Sequence, residues 1–201
     1  HGLGAVGVAG FTRALAPDAM GQELRPAFAA LAALAPRHVH YKVCSTFDSS
    51  PTVGSIGRAI EIGADVFGGR FIPLVVGAPP LGRYCVFGNL FARFGIGSSG
   101  AIHRLDRHPA MSRHPVTPAD ESALRRHLGR QTTKRVGLFD VLMLVQPEQE
   151  RRAALERLIG EGAEIVLFDV LETAHLERVG GLLDQLGGMK PFFSVGSSAI
   201  E

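Results

Sequence analysis

The densest set of chemically capable side chains lies in Tyr41-Lys42-Val43-Cys44-Ser45-Thr46-Phe47-Asp48-Ser49-Ser50. This stretch carries an ammonium, a thiol, four aliphatic hydroxyls and a carboxylate. The following Val53-Gly54-Ser55-Ile56-Gly57-Arg58 reads as a helix start whose glycines leave amides open to close approach, and a helix N-terminus favours an anion. A second glycine-rich turn, Gly77-Ala78-Pro79-Pro80-Leu81-Gly82-Arg83, ends in a guanidinium suited to a carboxylate or phosphate. If the two loops converge, they suit a small, hydroxylated, anionic ligand. Asp, Ser and Pro are also what ordinary turns and caps use, so spacing alone leaves both readings open.

Other chemistry is thinner. Gly2–Gly7 and Gly95–Gly100 both match G-x-G-x-x-G. A dinucleotide fingerprint needs a strand before it and a helix after it. The first stretch leads into a strand and the second into AIHRLD, so both read as turns. There is no G-x-x-x-x-G-K-[ST] loop, no H-E-x-x-H and no C-x-x-C, and no metal set is assigned. Cys44 near His38 or His40 reads as a small core residue rather than a thiol nucleophile. His103, His108 and His114 read as solvated or backbone-bonded.

Strand-like runs must position these loops. Apolar stretches near 5–9, 38–44, 71–76, 136–140, 164–169 and 192–195 alternate with helical patterns at 17–35, 53–67, 118–132, 148–161 and 173–186. Thr117 is the expected N-cap of the 118–132 helix, and the 136 strand could run on to Val145. This alternation predicts an α/β, Rossmann-like, three-layer domain with a mainly parallel sheet of five or six strands. Residues 83–118 form an irregular insertion, with Ala101–Leu105 as half of a hairpin. No internal repeat stands out. In such a sheet, loops at the carboxyl ends of strands bind ligands, which gives the two loops their weight.

Composition narrows the class. The chain has 201 residues, 46% apolar and 20% charged, which excludes wholesale disorder. Net charge is +2, which does not suggest a nucleic-acid partner. Positive charge gathers at 101–135, with eight Lys/Arg against three Asp/Glu, ahead of an acidic 136–201. No apolar run reaches the roughly 18 residues of a bilayer span. Two cysteines make no disulfide scaffold, so a cytoplasmic location is the expectation. The start at His1-Gly2-Leu3-Gly4 and the stop straight after a strand suggest a chain cut at both ends.

At these same residues the sequence resembles the four-carbon acid sugar kinase family. The resemblance runs through Tyr41–Ile60 (YKVCSTFDSSP…GSIGRAI), Gly77–Ala92 (GAPPLGRYCVFGNLFA), Arg104–Pro118 (RLDRHPAMSRHPVTP) and Gly196–Ser198 (GSS), in order over nearly the whole chain. It implies a two-domain, ATP-dependent kinase of small sugar acids, with residues 1–201 as its substrate domain. Threonate, erythronate, 3-oxo-tetronates and 3-oxo-isoapionate are the substrate types. By the resemblance, Lys42, Ser45 and Thr46 lie on the substrate loop, Gly54 and Gly57 at its helix start, and Gly82-Arg83 after the Ala-Pro loop. Ser197 matches a serine that contacts the nucleotide. Cys44 stands where the family has Asp. A five-residue insertion near Phe47–Pro51 leaves Val53 where it has Arg, and Arg58 or Arg83 is the candidate replacement.

The family's opening Gly-Asp-Asp loop and its nucleotide domain are absent from this sequence. ATP and Mg²⁺ are therefore expected to bind mainly through a missing C-terminal domain. No catalytic base is assigned, and the fragment alone is expected to be inactive. Loss of the first strand should expose a sheet edge and invite a homo-oligomer. The alternative function is a non-catalytic sugar-acid-binding or assembly module left by truncation. A flavodoxin-like domain of other purpose would need a phosphate cradle that neither glycine motif supplies.

Overall fold

The computed structural model describes residues 4–95, 99–185 and 191–199. In chain order the elements are α1 (Pro17–Ala33), β1 (His38–Lys42), α2 (Ile56–Phe67), β2 (Ile72–Val75), β3 (Arg83–Val86), β4 (Asn89–Arg93), β5 (Ile102–Arg104), α3 (Leu124–Gly129), β6 (Val136–Phe139), α4 (Val141–Leu144), α5 (Glu148–Gly160), β7 (Ile165–Phe168), α6 (Thr173–Asp184) and β8 (Phe192–Gly196). Five strands form a parallel sheet in the order β1-β8-β2-β7-β6. The class is α/β, as the alternation of runs predicts.

Side chains alternate across the pleat. Leu74, Leu167, Phe193 and Val195 face one core with α1, α2 and α3. Val75, Val166 and Phe168 face another with α5 and α6. Both faces are thus covered, which is why β2 and β7 are buried at every position. On the first face Phe193 stacks on Phe67, with centroids 5.3 Å apart, and Phe28 meets both rings. Gly63 leaves room for that ring, since a Cβ there would collide with it. Gly63→Ala should therefore cost about 1–3 kcal/mol of stability by overpacking. A denaturant midpoint equal to wild type would show that Phe193 moves aside freely.

Three expectations are corrected. Ala5–Gly10 forms no strand: the segment has no strand beside it, and Val6 and Val8 remain more than half exposed. The 118–132 helix shrinks to Leu124–Gly129, begins after Ala123, and is not capped by Thr117. Here tertiary hydrogen bonds outweigh the helical pattern, because Leu90 N–H donates to Ser122 O (2.9 Å) and Leu124 N–H to Gly88 O (2.9 Å). The 136 strand stops at Phe139, and Asp140 caps α4 by accepting from Leu142 N–H and Met143 N–H.

The insertion is more regular than its sequence suggests. Strands β3, β4 and β5 form an antiparallel sheet, with β5 supplying the half-hairpin expected at 101–105. Phe87 and Gly88 both have positive φ (49° and 72°), the handedness of a tight hairpin turn. Part of the Gly95–Gly100 motif lies outside the described residues, as does the end of the 173–186 helical pattern, where Gly187-Gly188 is the stop expected from sequence.

On the second face, His38 Nε2 and His40 Nδ1 both reach Ser194 Oγ, at 2.6 and 2.8 Å. Burial, followed by the neighbouring His38, pushes the His40 pKa down to about 4. Between its ordinary 6.5 and about 4, the unfolded chain binds a proton that the fold refuses. Stability is therefore complete above that window and falls as pH drops through it. At ~1.4 kcal/mol per unit and with burial incomplete, the expected loss is about 1–3 kcal/mol. Urea midpoints measured from pH 7.5 to 4.5 should show this fall, and His40→Gln should flatten it. An unchanged slope in that variant would assign the effect elsewhere.

Candidate functional site

Five strands running the same way bring their following loops to one edge. There Val43 N–H donates to Gly196 O (2.7 Å) and Ser197 N–H to Val75 O (2.9 Å). Ser197 thus sits between the loop after β1 and the loop after β2. It is fully buried, and its Oγ has no hydrogen-bond partner among the described residues.

The loop after β1 folds around its own polar groups. Thr46 Oγ1 donates to Asp48 Oδ1 (2.6 Å), so the Cys44 thiol donates to Thr46 Oγ1 (3.0 Å). Asp48 is nearly buried, and its other oxygen pairs with the Arg13 guanidinium, which is 60% exposed. Arg13 arrives from the segment before α1, where Thr12 Oγ1 meets Tyr41 OH at 2.8 Å. Gly54, at φ +60°, lets this segment close in: its N–H donates to Leu15 O (2.8 Å), and a Cβ would strike Arg13 O.

The segment after the small sheet closes the other side. A narrow cleft with only about 10 Å³ of room for water runs between Thr46–Ser49 and Leu105, Thr117, Glu121 and His127. It adjoins a crevice of about 500 Å³, counted with the solvent it opens to, lined by Ser49, Ser50, Thr117, Asp120, His127 and Arg130.

The other sequence candidates fall as follows. Lys42 is exposed at the end of β1, with no ion pair among the described residues. Ser45 is half-buried beside Thr46. Ser55 caps α2 by accepting from Arg58 N–H (3.1 Å), and Gly57 packs against Gln131. The Arg58 side chain turns away along the helix to Glu61 (3.3 Å). Arg83 is 7% exposed, and one of its terminal nitrogens donates to the carbonyls of Leu81, Gly82 and Arg93 (3.0–3.3 Å). Gly82 takes φ +66° against Arg93. With those of Arg58 and Arg83 engaged elsewhere, the guanidinium that pairs with the loop after β1 is that of Arg13. Its separation from the loop in sequence hid it, and a charged residue just before a helix carries little signal alone. His127 was also missed, since the sequence placed it inside a longer helix.

At the far end of the edge, Asp140 and Asp169 follow the paired strands β6 and β7. Asp140 is a helix cap. Asp169 is fully buried and accepts from the N–H groups of Phe87 (2.5 Å), Gly88 (2.9 Å) and Val141 (3.3 Å). Burial raises its pKa against the opposing effect of those donors. Burial and the adjacent Asp169 also push the Cys85 thiol up. Both carboxylates are thus engaged internally, and no group of three metal-ligating side chains assembles among the described residues.

Comparison with known proteins matches residues 1–201 to a model described as a sugar-binding N-terminal domain. The chain is 47% identical over 196 residues to a 3-oxo-isoapionate kinase of Paraburkholderia graminis, covering 98% of this chain and 40% of that protein. It is 35% identical to a 3-oxo-tetronate kinase of Methylobacterium radiotolerans, covering 98% and 43%. A crystal structure from Salmonella typhimurium LT2 superimposes with a TM-score of 0.82 at 28% identity, over 94% of this chain and 42% of the other. The chain thus spans about two fifths of the length of these relatives.

Proposed function

The chain belongs to the sugar-binding N-terminal domain family, and on that footing we propose that it is the acceptor-binding part of an ATP-dependent kinase for a small sugar acid of the 3-oxo-isoapionate or 3-oxo-tetronate type. The observation that carries the reading is the polar set at the carboxyl edge of the sheet. Arg13, Asp48 and Thr46 form a guanidinium–carboxylate–hydroxyl group on the loop after β1, and Ser197 adds a buried hydroxyl without a partner. A sugar acid asks for a cation at its carboxylate and for donors and acceptors at its hydroxyls. Lys42 and Ser45, at the mouth of the same loop, belong to the proposed site. Gly54 and Gly57 shape it, and Gly82 and Arg83 hold the neighbouring loop. No catalytic base is assigned.

Phosphoryl transfer is mostly positioning and charge stabilisation around the γ-phosphate and its metal. The two aspartates at this edge of the sheet, Asp140 and Asp169, are already engaged by backbone N–H groups and offer no free carboxylate to a Mg²⁺–ATP complex. In this proposal, nucleotide and metal are held by the part of the relatives' length that the chain does not span, with Ser197 at the junction. The protein then works on a small soluble substrate. Among the described residues no helix is long and apolar enough to cross a membrane.

The test is an assay with ATP, Mg²⁺ and a panel of four- and five-carbon acids, run on the full-length protein and on residues 1–201. Turnover is expected only for the full-length protein. Turnover by residues 1–201 would sink the division of labour, and inactivity of the full-length protein on every acid would sink the substrate class.

A further inference from the structure

Phe47 stands at the centre of the proposed substrate loop with φ +54° and is 2% exposed. A left-handed backbone at a bulky residue costs about 1–2 kcal/mol and persists only where the surroundings over-determine it. Phe47 is flanked by Thr46 and Asp48, whose side chains bond each other, Asp48 also pairing with Arg13. Whatever holds Phe47 in this conformation therefore aims those groups.

The support comes from Ser49 and from the end of α3. Ser49 Oγ–H donates to Phe47 O (3.0 Å), which uses its single proton. The same oxygen is met by His127 Nε2 and Gln131 Nε2, each at 3.0 Å. Both nitrogens must donate, so His127 carries its proton on Nε2. Its Nδ1, buried and without a partner, holds the lone pair. Burial lowers the pKa of this ring and favours that neutral form. The imidazole also lies edge-on to Phe47, with centroids 5.8 Å apart. Gln131 turns its carbonyl oxygen to Gly57 N–H (3.2 Å), so one amide spans the loop and the start of α2. A Cβ at Gly57 would come within 2.7 Å of the Gln131 backbone, which keeps the two segments in contact.

We infer that His127 and Gln131 are positioning residues that grip Ser49 and thereby hold the Thr46–Asp48 turn in its acid-binding form. They touch no ligand in this scheme and act through Ser49 and Phe47. The inference rests on the proposed sugar-acid site, because only that reading gives the turn a ligand to receive.

The test uses the full-length protein with His127→Ala, His127→Gln and Ser49→Ala. The glutamine amide can place a donor where imidazole Nε2 stands. His127→Ala should raise the KM for the sugar acid about tenfold, as expected for one lost hydrogen bond, and Ser49→Ala, which removes three, at least as much, with kcat and the ATP KM nearly unchanged. His127→Gln should restore most of the loss. Hydrogen exchange across residues 44–53 should quicken in the alanine variants and return in the glutamine variant, with β2 and β7 unaffected. Wild-type loop exchange in His127→Ala would overturn the grip. Faster exchange with an unchanged acid KM, or no rescue by glutamine, would overturn its positioning role. If the wild-type protein phosphorylates no sugar acid, the functional reading fails by itself and the exchange measurements still decide the grip.

Discussion

Asp169→Ala should lower stability by about 3–5 kcal/mol, the scale for removing one partner from a buried charged network. The carboxylate ties three segments together: it accepts from Phe87 and Gly88 at the hairpin turn and from Val141 at the start of α4. Without it, these N–H groups face a cavity. The hairpin would then be held by backbone bonds, the Cys85–Val170 pair (2.9 Å each) and those of Leu90 to Ser122 and Leu124 to Gly88 (2.9 Å each). Asp169→Asn keeps the volume but turns an NH₂ toward donors, so most of the loss should remain. Urea unfolding followed by circular dichroism measures both variants. A change below about 1 kcal/mol for alanine, the worth of an ordinary hydrogen bond, would mean that these backbone bonds suffice.

The second large effect belongs to Arg13. In the full-length protein, Arg13→Ala should raise the KM for the sugar acid roughly 10- to 100-fold, as expected from losing a charge-assisted hydrogen bond of about 1.5–3 kcal/mol. The ATP KM should change little. Arg13→Lys should recover only part of the loss, because an ammonium lacks the planar fork that matches a carboxylate. Lys42→Ala should show the same split between acid and nucleotide. Equal losses for both substrates would point to misfolding through the stranded Asp48, and an unchanged acid KM would remove Arg13 from the site.

The sheet was legible where burial is two-sided. The runs at 71–76 and 164–169 are continuous apolar stretches, and they become the fully buried β2 and β7. The loops after the 38–44 and 71–76 runs could be ranked as candidate binding loops because strand polarity alone decides which edge they share. The run at Ala5–Gly10 is equally apolar, but a strand exists only as half of a pair, and no partner lies beside it. Phe87 reads as part of an apolar turn but not of a hairpin, because Phe87-Gly88 lacks the usual Asn-Gly signature. A repeat was also overlooked: Leu-Phe-Asp-Val-Leu occurs at Leu138–Leu142 and again at Leu167–Leu171. Strands β6 and β7 pair with Leu138 opposite Leu167 and Phe139 opposite Phe168. The identical aspartates that follow then do different work, because only the second lies beneath the hairpin. Arg13, His127 and Gln131 gain their roles from contacts across 35, 78 and 82 positions, which no local pattern encodes.

The strand order has a consequence for biosynthesis. The last strand, β8, lies between β1 and β2, and it is the only sheet neighbour of β1 among the described residues. Some 150 positions separate His38–Lys42 from Phe192–Gly196. At ~5–20 residues per second, the ribosome needs roughly 8–30 s to deliver the one to the other. Through most of that interval α1, β1 and α2 have been made while β8, the strand that pairs with β1 here, is still to come. This is the period in which the chain most needs a holding chaperone, and slowing translation between those two strands should lower the yield of soluble protein.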